Sequence, residues 1–137
     1  LAVFASAIHL DVDLITGEYT LSRAGHPPAV VYRAGTGTWQ VDHESFGPLL
    51  GVLPDPPFHS SRGQLHPGDA LMLYSDGVIE SPQHELIDGL DRMLGVASAA
   101  LVAGSTTAAE EVVDSARSGL ADDRAAFVIR RLGPNGG

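Results

Sequence analysis

The chain has 137 residues, 44% of them hydrophobic, and a formal charge of −9 at neutral pH. That length suits one domain with one core rather than two, and that charge lacks the basic footprint needed to hold nucleic-acid phosphates or an anionic membrane surface. All eight basic residues are arginines and there is no cysteine, which excludes a P-loop, a Schiff base, a thiolate nucleophile, a cysteine zinc site and a disulfide framework.

The lack of cysteine also fits a reducing compartment, hence a cytoplasmic location. The longest small-and-apolar stretch, Gly95 to Gly104, falls far short of the roughly twenty residues a membrane span needs, so no direct membrane contact is expected from this segment. The chain opens on Leu1-Ala2-Val3-Phe4, with neither an initiator methionine nor a charged leader, and is expected to come from a longer polypeptide.

From Val3 to Asp11 an apolar, β-rich stretch leads into a turn at Asp13 to Glu18, and Tyr19 to Ser22 reads as the returning strand. Pro27-Pro28 breaks the pattern; Ala29 to Arg33, the turn Ala34-Gly35-Thr36-Gly37 and Thr38 to Val41 then predict a second hairpin. Glycine and proline between Gly47 and Pro57 forbid regular structure, after which Phe58 to Leu65 reads as an edge strand and Ala70 to Ser75 as a central one. Pro82 suits a helix start, with Glu85, Leu86, Ile87, Leu90, Met93 and Leu94 on one face. The Ala-rich run from Val96 to Gly104 reads as a link. A second helix is expected from a Thr106 or Thr107 cap to about Ser118, with Val112, Val113 and Ala116 inward and Gly119 as its stop. Ala125 to Leu132 closes the domain, taken as residues 1–132, and residues 133–137 form a frayed tail.

The chemistry centres on Leu71-Met72-Leu73-Tyr74-Ser75-Asp76-Gly77-Val78-Ile79-Glu80, an apolar strand ending in a carboxylate, a glycine and a second carboxylate. Such a strand can mount Asp76 rigidly as a metal ligand, with Gly77 permitting close backbone approach. Asp122, before the last strand, would come near Asp76 if the two strands pair antiparallel. Asp-Gly is ordinarily a plain turn and Asp-Asp a solvated cap; their order in the chain is what raises the metal reading. Glu80 reads as the solvated end of a short strand. The six histidines show no zinc spacing, and Trp39 reads as packed on its sheet rather than as a docking aromatic. Asp11-Val12-Asp13 imitates the opening of an aspartyl-nucleophile phosphatase, but without lysine or a helical body it reads as the border of a hairpin turn.

Three stations, Arg23-Ala24-Gly25-His26-Pro27-Pro28, Asp76-Gly77 and Asp122-Asp123, together with Gly51-Val52-Leu53-Pro54 and His66-Pro67-Gly68-Asp69, resemble the PPM family of metal-dependent protein serine/threonine phosphatases, in its bacterial SpoIIE/RsbU-like branch. The resemblance implies an α/β (α+β) fold, an α-β-β-α sandwich of antiparallel sheets flanked by helices. It implies a binuclear Mn²⁺ or Mg²⁺ centre with Asp76 and Asp122 as metal ligands, and Gly77 and Asp123 as backbone or supporting groups. Metal-activated water would hydrolyse phosphoserine or phosphothreonine, the usual substrate being an anti-anti-sigma factor of the STAS type. Arg23 stands where the family usually has asparagine, and Ala125 where it has threonine. His26 is taken as a turn residue. The family's early Gly-Asp motif does not precede Leu1, so this chain alone is expected to be poorly active and, with exposed apolar surface, to form homo-oligomers. The rival expectation is a non-catalytic signalling module that kept the fold.

Overall fold

The computed structural model describes residues 3–80, 85–116 and 123–134. Two antiparallel sheets stack face to face. The first contains β1 (Ala7–Val12), β2 (Glu18–Ala24) and β5 (Ser61–Gln64) in the order β1-β2-β5. The second contains β3 (Val30–Arg33), β4 (Thr38–Val41), β6 (Ala70–Tyr74) and β7 (Ala126–Arg130) in the order β4-β3-β6-β7. Both expected hairpins are present. Asp13 accepts the Ile15 and Thr16 backbone N–H groups at 2.8 and 3.0 Å, so it is a turn-former and the aspartyl-nucleophile imitation is empty of chemistry.

Strand alternation sorts the side chains into two cores. Leu71, Val31 and Ala29 meet Tyr19, Leu21 and Leu65 between the sheets, while Val30, Met72 and Tyr74 turn to the other face. The helices α1 (Asp76–Ile79), α2 (Leu86–Val102) and α3 (Ala108–Ser115) cover that face through Val78, Met93, Ala97 and Val112. Burial on both faces explains why Ala70 to Met72 is an unbroken apolar run in a strand. Trp39 stays on its sheet, 5.3 Å from the Tyr32 ring, and its indole N–H donates to Ser98 Oγ at 2.7 Å.

Three expectations need correction. Residues 76–79 form a helical turn rather than part of a strand, so Glu80 closes a helix. The Ala-rich run is the second half of α2, because alanine is the strongest helix former and packs closely even though it carries little hydrophobic contrast. Leu86 and Ile87 are 57% and 62% exposed; the inward face of α2 is set by Gly89, Met93, Ala97, Ala100 and Leu101. The helix start at Pro82 and the stop at Gly119 lie outside the described residues.

None of the three helices carries a basic residue in its last turn. Arginines from neighbouring elements serve their carbonyls instead: Arg92 donates to Val78 O, Arg130 to Leu101 O at 2.9 Å, and Arg124 to Ala116 O. Arg131 does the same across the sandwich, donating to Leu65 O at 2.8 Å and to Thr16 O at 2.7 Å. Asp69, 3% exposed, fixes the corner before β6. Its carboxylate accepts Arg33 Nη1 at 2.8 Å and the N–H groups of Ala34 and His66, each at 2.9 Å.

Candidate active site

β6 delivers Asp76 to the end of the second sheet, and pairing of β6 with β7, with Tyr74 opposite Ala126, brings residues 123–125 alongside it. Ser75 clamps that approach: its N–H donates to Ala125 O at 2.9 Å, and its Oγ accepts Ala125 N–H at 2.8 Å. Gly77 completes it. A Cβ at residue 77 would lie 2.5 Å from Asp123 O, closer than real Cβ contacts, so only glycine lets α1 start against that carbonyl.

Around this junction lies a cleft of about 340 Å³ lined by Ser6, His26, Pro27, Ser75, Asp76, Gly77, Glu80 and Asp123. Asp76 and Asp123 are exposed, whereas Glu80 and His26 are half-buried. Tyr74, two residues before Asp76, is packed in the core with Val78 and Met93; burial, with the nearby Asp76 adding to it and Arg23 opposing it, pushes its phenol up to about 12. It therefore stays a neutral hydroxyl at any ordinary pH.

Of the four residues picked from the sequence, Asp76, Gly77 and Asp123 line one cleft; Asp122 lies outside the described residues. His26 and Glu80, set aside as a turn residue and a solvated end, line the same cleft. The one sequence signal for His26 was company, since it lies within a motif that carries the resemblance, and that for Glu80 was its place as the second carboxylate after the apolar strand. Among the described residues no group of three or more His, Asp or Glu side chains is gathered closely enough to hold a metal ion. The donors in the cleft are nonetheless nearly all oxygens: the carboxylates of Asp76, Glu80 and Asp123 and the hydroxyls of Ser6 and Ser75. Hard divalent cations favour such donors, and Mg²⁺ and Mn²⁺ keep several waters and need few protein ligands.

Residues 2–132 match a family model described as stage II sporulation protein E (SpoIIE). Phosphoserine phosphatase RsbP of Bacillus subtilis is 32% identical over 77 residues, 56% of this chain and 19% of that protein. Phosphoserine phosphatase RsbU of the same organism is 29% identical over 79 residues, 58% of this chain and 23% of that protein. The chain thus spans about a fifth of the length of these relatives. Among solved structures, the RsbU and RsbW domains of Rv1364c from Mycobacterium tuberculosis superpose with a TM-score of 0.72 at 23% identity, covering 93% of this chain and 37% of that one. The phosphatase domain of SpoIIE from Bacillus subtilis gives 0.62 at 20% identity, covering 94% and 57%. At such identities these two show a shared fold of paired antiparallel sheets with helices.

Proposed function

Because the chain belongs to the SpoIIE family, whose model it matches over residues 2–132, we propose that the complete domain is a metal-dependent phosphatase of phosphoserine or phosphothreonine proteins. The observation that carries this reading is the junction where Ser75 and Gly77 lock Asp76 against the Asp123 backbone in an oxygen-lined cleft. Asp76 and Asp122 would hold Mn²⁺ or Mg²⁺, with Gly77 and Asp123 as supporting groups. A bound pair of such ions supplies charge compensation for the phosphoryl oxygens and activates water. The chain's own part is to hold its carboxylates still.

The similarity to RsbP and RsbU supports a role in regulating a sigma factor, with a STAS-type anti-anti-sigma protein as substrate. Exposed Phe4, Leu50, Val52 and Leu53 support self-association. The 137-residue chain by itself would turn over slowly.

The reading is tested by titrating Mn²⁺ into the chain while following amide NMR signals, beside an assay of phosphate release from a phosphoserine peptide. Signals of residues 75–77 and 123–125 should broaden first, and Asp76→Asn should abolish both that selectivity and any Mn²⁺-dependent release. Broadening spread evenly over the exposed carboxylates, or release untouched by Asp76→Asn, would overturn it.

A further inference from the structure

At the end of the second sheet away from Asp76, three backbone segments are tied together by one side chain. β7 runs antiparallel to β6, with Tyr74 opposite Ala126 and Ala70 opposite Arg130, which puts Arg131 about 20 Å along the sheet from Asp76. Arg131 Nη1 donates to Thr16 O at 2.7 Å and to Leu65 O at 2.8 Å, and Nη2 donates to Ile15 O at 3.2 Å. Its backbone N–H donates to Asp69 O at 2.9 Å. The β1-β2 turn is pressed against this knot: Gly17 has φ +78, and a Cβ there would lie 2.3 Å from Leu65 O. Between the three segments lies a cavity of about 400 Å³ lined by Leu14, Ile15, Leu65, Pro67, Ile129 and Leu132, a size ordinary for small-molecule sites. Leu65 is buried, whereas Leu14 and Ile15 are each 86% exposed. Asp13 Oδ1 accepts the Ile15 and Thr16 N–H groups, which fixes the turn with this apolar pair outward as one wall.

The charge of the cavity is opposite to that of the chain. Arg130 and Arg131 line it against one carboxylate, Asp13, in a chain of formal charge −9. Neither arginine is paired with a carboxylate among the described residues. Arg130 Nε is buried without a partner. Arg131 has five N–H donors and gives three of them to carbonyls, so Nε–H and one Nη2–H have no acceptor among the described residues. We propose that this cavity binds an amphipathic carboxylate, its aliphatic tail against Leu65, Ile129 and Leu132 beside the Leu14 and Ile15 wall, and its headgroup on the remaining donors of Arg131. Burial of the tail drives binding, and the planar guanidinium orients the carboxylate. A cationic headgroup would meet two guanidiniums, and a neutral one would leave their charge uncompensated.

The test titrates octanoate into the full chain, with octyl glucoside and octylammonium beside it, and follows amide NMR signals. Octanoate should shift residues 13–17, 65–68 and 129–132 saturably, with a Kd of about 1 mM or tighter, and leave residues 75–77 and 123–125 unmoved. The neutral and cationic amphiphiles should bind at least about tenfold more weakly. Ile15→Asp changes an exposed side chain, so it should keep the circular dichroism of wild type and weaken octanoate by about tenfold or more. Arg131→Lys, which keeps the charge and loses the planar fork, should also weaken it several-fold. The absence of saturable shifts around the cavity, octyl glucoside binding as tightly as octanoate, or a folded Ile15→Asp protein that binds octanoate like wild type would each overturn the proposal.

Discussion

Two glycines in α2 offer one substitution with opposite signs. At Gly95 nothing stands within 4 Å of where a Cβ would go, whereas at Gly89 a Cβ would lie 2.7 Å from the Ile79 carbonyl carbon and 3.0 Å from Ile79 Cα, with the carbonyl oxygen nearer still. Both positions gain the same backbone term, about 0.5 to 1 kcal/mol for replacing glycine by alanine in a helix. Gly95→Ala should therefore stabilise the chain by about that amount. Gly89→Ala must push the end of α1 away from α2 by on the order of an ångström, against backbone that cannot rotate aside. Overpacking of this kind costs about 1 to 3 kcal/mol, so after the helical gain the net runs from about zero to a destabilisation of roughly 2.5 kcal/mol. Urea denaturation followed by circular dichroism reads both, and the two variants should be separated by about 2 kcal/mol with unchanged m-values. Because α1 begins at Asp76, Gly89→Ala should also weaken Mn²⁺ binding while Gly95→Ala leaves it alone. A Gly89→Ala protein as stable as Gly95→Ala would refute the close-contact argument.

Asp69→Ala strands the Ala34 and His66 N–H groups and removes one partner of Arg33, which keeps Gln64 O and Gln40 Oε1, at roughly 1 kcal/mol for each lost bond and about 2 to 3 kcal/mol in all; a loss below about 1 kcal/mol by urea titration would contradict the corner's role. Burial pushes the Asp69 carboxyl up, but the Ala34 and His66 N–H groups and Arg33 together hold it below its ordinary 3.8. A carboxyl lowered by folding stabilises fully above its unfolded value and progressively less as pH falls through the folded one. Acid unfolding of wild type should therefore steepen below about pH 4, and Asp69→Ala should flatten that limb. Trp39→Phe and Ser98→Ala each remove one partner of the indole hydrogen bond and should cost about 1 kcal/mol, with the double variant no worse than roughly the larger single one; additive losses would show that the two do not act as a pair.

The strands were legible because their alternation is interrupted by glycine and proline at every turn: Thr16-Gly17 before β2, Gly35 and Gly37 before β4, and Pro67-Gly68 before β6. α1 was not, since four residues make barely one helical turn and show no periodicity. The second half of α2 was missed because alanines at 97, 99 and 100 give no apolar contrast, although their propensity pointed to helix. In the cleft, the place of Asp76 followed from a strand end and that of Gly77 from the need for a close approach. His26 is different. Fifty residues of chain separate it from Asp76, and it is the antiparallel pairing of β3 with β6, Val30 opposite Met72, that brings the segment before β3 to the cleft. No local pattern encodes that distance.

Six of the eight arginines give their guanidinium hydrogens to main-chain carbonyls, so much of the chain's positive charge is spent on its own backbone. Most of its carboxylates, in contrast, face water. To an approaching ion the molecule is a polyanion wrapped in a counter-ion atmosphere, which gathers divalent cations from dilute solution and repels phosphate esters. On the proposed reading, divalent cation concentration would govern the encounter as well as the chemistry, a doubly charged ester approaching the cleft more readily as the ions screen this surface.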